Sequence, residues 1–154
     1  MKCVVVCFML LYLGMCMGLP CTTLQNITLN LSAIGLDSNA GHLVAKQGKK
    51  ICEEDGGHLL VLNSDAEAEG VNTLLAKHAL ENLWIWIGFH DRYEEGNYVT
   101  IFNETLREAG YLNWASGEPS HNSGQDCGVI KYRTGLGVGV CDLAGRPFIC
   151  EIEL

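Results

Sequence analysis

Eight cysteines in a chain of 154 residues constrain this sequence more than any other feature. Cysteine at that density belongs to a disulfide framework or to a metal site, and the redox compartment decides which. The N-terminus speaks to the compartment. Met1 and Lys2 form a short basic start, Cys3 to Leu13 is almost continuously apolar, and Cys16-Met17-Gly18 places small side chains before a cleavage point. That layout predicts a secretory signal peptide over residues 1–18. The competing reading is an N-terminal membrane anchor, but the apolar run is too short to span a bilayer comfortably. No other segment approaches the roughly eighteen apolar residues that a transmembrane helix needs.

Cleavage after Gly18 removes Cys3, Cys7 and Cys16 and leaves Cys21, Cys52, Cys127, Cys141 and Cys150. An odd count in an exported protein means one thiol that stays free or pairs with another chain. The length allows one domain. At 48% apolar and 18% charged residues the chain is ordinary globular material, too apolar to be disordered. Its formal charge of −8, or −9 once Lys2 is lost with the signal, excludes a nucleic-acid or anionic-membrane footprint.

Three sequons mark exposed chain if the protein is exported: Asn26-Ile27-Thr28, Asn30-Leu31-Ser32 and Asn103-Glu104-Thr105. Residues 19–41 therefore read as a glycosylated surface segment. Weak helical periodicity follows from about Val44 to Glu54, with Val44, Gly48 and Cys52 on one face, and Gly56-Gly57 ends it. His58 to Leu62 is a short apolar run with the character of a buried strand. Ser64-Asp65-Ala66-Glu67 has capping-box spacing, and Val71, Leu74, Leu75 and His78 extend a second helix to about His78.

The period then changes. Trp84 to Phe89 is a strand by composition, Tyr98 to Phe102 a brief one, and residues 103–126 form a long irregular stretch. Val129 to Tyr132, Leu136 to Cys141 and Pro147 to Ile152 are further strand candidates. Two helices followed by β-structure predict an α+β domain. A loop region of that length is usually functional or stapled.

Over residues 42–154 the chain resembles the C-type lectin-like domain family. The resemblance rests on Cys52-Glu53-Glu54-Asp55-Gly56-Gly57-His58-Leu59, Trp86-Ile87-Gly88-Phe89, and Trp114-Ala115-Ser116-Gly117-Glu118-Pro119. Gln125-Asp126-Cys127, Cys141 and Phe148-Ile149-Cys150-Glu151 complete the series in the family's order. Around Gly88 to Asp91 and Tyr98 to Phe102 the wording is similar to secreted insect lectins of the haemolymph lipopolysaccharide-binding type. Small lectins of parasitoid wasps and their viruses also resemble it. The family implies two helices with small antiparallel sheets and a long-loop region stapled by disulfides Cys52–Cys150 and Cys127–Cys141. The four cysteines alone allow three pairings. Cys21 is then left over, for an inter-chain bridge in a homodimer or a free thiol. Two departures stand at the first helix: Gly48 replaces the family's usual Ala, and the segment before the helix is short for a first strand.

The family's sugar site is a bound Ca²⁺ completed by two sugar hydroxyls. Calcium wants six to eight oxygens, several of them charged. Mapped onto this chain, the family's Glu-Pro-Asn triplet is Glu118-Pro119-Ser120, its next Glu is Gln125, and its Asn-Asp pair is Gly137-Val138. Three side-chain carboxylates have become one, which predicts calcium-dependent sugar binding that is weakened or lost. Loop scaffolding is the plain alternative for Trp114 and Glu118-Pro119, and the resemblance implies a cis peptide at Pro119. Asp91, Glu95 and Asp126 match carboxylates that many members use for an auxiliary ion. They predict a weak structural calcium or a solvated acidic rim.

Other chemistry is thin. Gly135-Leu136-Gly137-Val138-Gly139 precedes a cysteine and a turn, not the helix a phosphate cradle requires. The five histidines lack zinc-ligand spacing, and no nucleophile elbow is present. The expectation is a secreted, non-enzymatic recognition protein for a glycan or microbial surface molecule. Its binding residues would be Trp114, Glu118, Ser120, His121, Asn122 and Gln125. The alternative is a member that has lost sugar binding and acts on a protein partner as an inhibitor or immune-modulating factor.

Overall fold

The structure, a computed structural model, describes the backbone of residues 27–30 and all of residues 45–120 and 124–152. The signal-peptide, Cys21 and Asn26 expectations lie outside the described residues, as do His121 and Asn122.

Helix α1, Ala45–Glu54, buries Ala45, Gly48 and Cys52 on one face. Its outer face carries the i,i+4 pairs Lys49–Glu53 at 2.6 Å and Lys50–Glu54 at 3.3 Å. Exposed pairs of this kind contribute about 0.3–0.5 kcal/mol each, so the buried stripe holds the helix in place. Helix α2, Asp65–Lys77, starts as expected: the Ser64 hydroxyl accepts the Glu67 N–H at 3.2 Å. The Glu67 carboxylate, however, reaches one residue further back and accepts the Asn63 N–H at 2.8 Å. A third, four-residue helix, α3, Leu106–Ala109, lies inside the stretch expected to be irregular, opened by a Thr105–Glu108 capping box.

Among the described residues seven strands form one sheet rather than separate small ones. They are β1 (Ile27–Asn30), β2 (Gly57–Leu59), β3 (Trp84–His90), β4 (Val99–Thr100), β5 (Cys127–Lys131), β6 (Gly135–Gly139) and β7 (Phe148–Ile152). The order is β1-β7-β3-β5-β6, with β2 also on β7 and β4 on β3. All pairs are antiparallel except β3 with β7, which run parallel at Trp86 and Phe148. The first strand is present despite the short leading segment: Ile27 to Asn30 pairs with Glu151 to Phe148.

β3 runs continuously apolar because it is buried on both faces. Ile85, Ile87 and Phe89 join the cluster containing Val71 and Leu75 of α2. Trp84 and Trp86 alternate to the opposite face, where Ala45 and Cys52 of α1 meet Val129 and Phe148. Each fully buried Ile or Leu contributes about 1.5–3 kcal/mol relative to exposure, so these two clusters carry the fold. The disulfides among the described residues are Cys52–Cys150 and Cys127–Cys141. The first ties α1 to β7, which lies between β1 and β3; the second ties the start of β5 to the chain just beyond β6.

Candidate functional site

The irregular chain between β4 and β5 is fastened to β6 by its backbone. Leu136 N–H donates to Asn113 O and Ala115 N–H to Leu136 O, each at 2.8 Å, which places Trp114 beside β6. Trp114 is half-buried and meets Tyr98 edge-on at 4.9 Å and Phe89 at 5.8 Å. A turn at Ser116-Gly117 follows, with Gly117 at φ 83°, and Glu118 N–H donates to Ala115 O at 2.9 Å. The Glu118–Pro119 peptide is cis.

Glu118 points inward. Its Oε2 accepts the Ser120 N–H at 3.1 Å and the Val138 N–H of β6 at 3.0 Å. The Ser120 hydroxyl donates to Gln125 Oε1 at 2.6 Å. The structure thus brings together Glu118, Ser120, Gln125 and the Gly137-Val138 positions, as an internal hydrogen-bonded knot. Gly137 has no room for a side chain: a Cβ there would lie 2.8 Å from the Trp84 ring and 3.2 Å from Glu118 Cδ. The one carboxylate of the set is turned onto backbone donors, and the remaining oxygens are neutral. These residues do not fit a calcium ion, which needs several charged oxygens converging on an open point.

The auxiliary acids do not converge either. Asp91 is 4% exposed, its N–H donates to Asp126 O at 3.1 Å, and its Oδ2 accepts the Gly96 N–H at 2.9 Å. Its Oδ1 and the Tyr98 hydroxyl are both buried, and the two side chains interact with each other. Glu95 is exposed and Asp126 half-buried. Among the described residues no three His, Cys, Asp or Glu side chains are placed to hold a metal ion. Burial, and then the carboxylates of Asp91, Glu95 and Glu118, push the Tyr98 phenol well above its ordinary value.

Beside Trp114 lies an open groove of about 360 Å³, walled by Tyr98, Thr105, Arg107, Leu112, Trp114 and Pro119. Leu112 is 45% exposed there. Tyr98, Leu112 and Arg107 escaped the sequence reading, because nothing in their spacing marks them; only the fold of the loop gathers them. A larger groove of about 490 Å³ lies elsewhere, between α2 and the β5–β6 turn, and includes none of the expected site residues.

The C-type lectin domain ("Lectin C-type domain") matches residues 43–152. The chain is 35% identical over 115 residues to a hemolymph lipopolysaccharide-binding protein of Periplaneta americana, covering 70% of this chain and 44% of that protein. It is 35% identical over 105 residues to C-type lectin 37Db of Drosophila melanogaster, covering 66% of each. Among solved structures it is similar to the mouse scavenger receptor C-type lectin carbohydrate-recognition domain, with a TM-score of 0.66 and 25% identity. That match covers 82% of this chain and 87% of the other. Human lithostathine, at a TM-score of 0.64 and 18% identity over 74% of this chain and 79% of that one, shares the fold. The two disulfides, the seven-stranded sheet and a match across residues 43–152 agree: this chain belongs to the C-type lectin domain family.

Proposed function

We propose that this chain is a secreted recognition protein that binds glycans or microbial surface molecules through its long-loop face, with calcium-dependent sugar binding weakened or lost. The observation that carries the reading is the Glu118 carboxylate held on the Val138 and Ser120 N–H groups, over a Gly137 with no space for a side chain. Both hydrogen bonds fall on Oε2, which they commit to backbone donors. The groove at Trp114, Tyr98, Leu112 and Pro119 offers another basis for contact: apolar stacking, with hydrogen bonds at its rim. The ligand-binding residues of this reading are Trp114, Glu118, Ser120, His121, Asn122 and Gln125. Calcium at Asp91, Glu95 and Asp126 is at most weak.

The same reading includes export behind residues 1–18, a glycosylated segment 19–41, and a lectin domain from 42 to 154. Glycans would sit on Asn26, Asn30 and Asn103, the last exposed in a turn at φ 62°. Such groove contacts make monovalent affinity weak, and a homodimer bridged through Cys21 would raise it by multivalency. The name of the cockroach relative, a lipopolysaccharide-binding protein, supports a microbial ligand. The inward Glu118 equally favours a second reading, a protein partner in place of a sugar.

A glycan array and a bacterial pull-down, each run in calcium and in EGTA, test the proposal. Binding that persists in EGTA is the expected result. Binding abolished by EGTA overturns the lost-calcium reading, and no glycan or bacterial binding in either buffer transfers the function to a protein partner.

A further inference from the structure

Residues 91–98 join β3 to β4 and reach the Trp114 groove, where Gly96, Asn97 and Tyr98 form one wall. Asp91 opens this connection. At 4% exposed it is the most buried acid among the described residues. A carboxylate at that depth needs donors close by. Its backbone ties down the base of the loop, since the Asp91 N–H donates to Asp126 O and the Glu94 N–H donates to Asp91 O, each at 3.1 Å. The side chain reaches further along. Oδ2 accepts the Gly96 N–H at 2.9 Å. Oδ1 is buried, as is the Tyr98 hydroxyl, and the two side chains interact. One carboxylate thus engages two of the three residues by which this loop walls the groove.

The contact is passed on to Trp114. The Tyr98 ring meets Trp114 edge-on at 4.9 Å and Phe89 at 6.1 Å, and Phe89 meets Trp114 at 5.8 Å. Phe89 belongs to the buried core of β3 and is fixed there. Tyr98 is held by its ring at one end and by its hydroxyl at the other. Backbone bonds to Leu136 fix the chain around Trp114, while these two aromatic rings seat the indole. Family resemblance assigns Asp91 to an auxiliary calcium ion, yet its Oδ2 is committed to Gly96, and Asp91, Glu95 and Asp126 form no three-acid metal site.

We propose that Asp91 is the positioning residue of the Trp114 groove: by holding Gly96 and Tyr98, its carboxylate sets one groove wall and the seat of the indole, in place of an ion. This role rests on the binding face proposed above, and the geometry behind it can be read without any ligand. Asparagine should be able to take it over, its Oδ1 accepting the Gly96 N–H and its Nδ2 donating to the Tyr98 hydroxyl oxygen. A calcium ligand would lose by that exchange, because it gives up a charge.

The test compares the full chain with Asp91→Asn, Asp91→Ala and Tyr98→Phe by NMR, and by pull-down on whole bacteria, in EGTA and in millimolar calcium. In Asp91→Ala, amide exchange of Gly96 should quicken about 5–100-fold. The Trp114 indole resonance should move, while those of Trp84 and Trp86 stay in place. Tyr98→Phe should move Trp114 and leave Gly96 protected. Asp91→Asn should keep both close to the parent. Bacterial capture should follow the same order in both buffers, near parental in Asp91→Asn and several-fold weaker in the other two. Unchanged Gly96 exchange, an unmoved Trp114 resonance or undiminished capture in a folded Asp91→Ala variant overturns the proposal. Should that variant fail to fold, an unmoved Trp114 resonance in Tyr98→Phe does the same. A loss in Asp91→Asn that appears only with calcium also overturns it, in favour of an ion ligand. Failure of the unaltered chain to capture bacteria counts against the functional reading alone, and Gly96 and Trp114 still decide the role of Asp91.

Discussion

The Glu118 carboxylate accepts the backbone N–H of Val138 at 3.0 Å, closing the long-loop region onto β6 where family resemblance places an Asn-Asp pair. The same oxygen accepts the Ser120 N–H at 3.1 Å, so one side chain serves two donors. Glu118→Ala leaves both without that acceptor and should cost about 1–3 kcal/mol. Urea unfolding in EGTA and in millimolar calcium measures it. The loss should be equal in the two buffers, whereas a metal ligand would show its loss only when calcium is present.

Putting back one family residue should not restore the ion. Gly137→Asn introduces a Cβ 2.8 Å from the half-buried Trp84 ring and pushes its amide toward Glu118. Overpacking of this kind costs about 1–3 kcal/mol. Thermal scans should show a lower midpoint and no response to calcium. A calcium-dependent rise in the midpoint would mean that Glu118 is free to turn outward.

Element identities were legible where one physical signal dominated. Trp84 to Phe89 read as a strand because burial on both faces demands an unbroken apolar run, and Ser64 with Glu67 announced α2. Thr105 and Glu108 carry the same three-residue spacing, yet α3 went unread because only Leu106 of its four residues is buried and no apolar period follows. The site was legible as a list of chemistries and illegible as directions. Sequence shows that the mapped acids have thinned to Glu118, but not that its carboxylate turns onto Val138. Nor does it show that Asp91 is buried against Gly96. Gly48 is the reverse case, a departure that the packing explains. A Cβ there would meet the buried Phe148 ring at 2.9 Å, so this pairing of helix and strand requires the glycine.

The two disulfides close loops of very different length, with sequence separations of 98 for Cys52–Cys150 and 14 for Cys127–Cys141. In the chain-entropy description the first constrains the unfolded state by about 4.7 kcal/mol and the second by about 3 kcal/mol. Replacing Cys52 and Cys150 together by Ala should therefore lower unfolding free energy more than replacing Cys127 and Cys141. Urea melts of the two double variants check the order. A reversed order would mean that the short bridge holds native packing beyond its entropic effect.

Glu67 should make stability depend on pH. Its side chain is buried, the residue being 7% exposed, and burial raises its pKa from 4.5 to about 7. Nearby Glu151 adds to the rise, while the Asn63 N–H and His58 oppose it. Between those two values the folded chain keeps a proton that the unfolded chain releases, so stability falls as pH rises. The contribution is full below about pH 4.5 and lost as pH passes through about 7, an effect of about 1–3 kcal/mol. Glu67→Gln keeps an oxygen for the Asn63 N–H and removes the titration. Urea melts at intervals from about pH 5 to 8 should give a flatter profile for the variant, with the variant more stable than the parent at the alkaline end. Parallel profiles would show that Glu67 does not hold its proton in the folded chain.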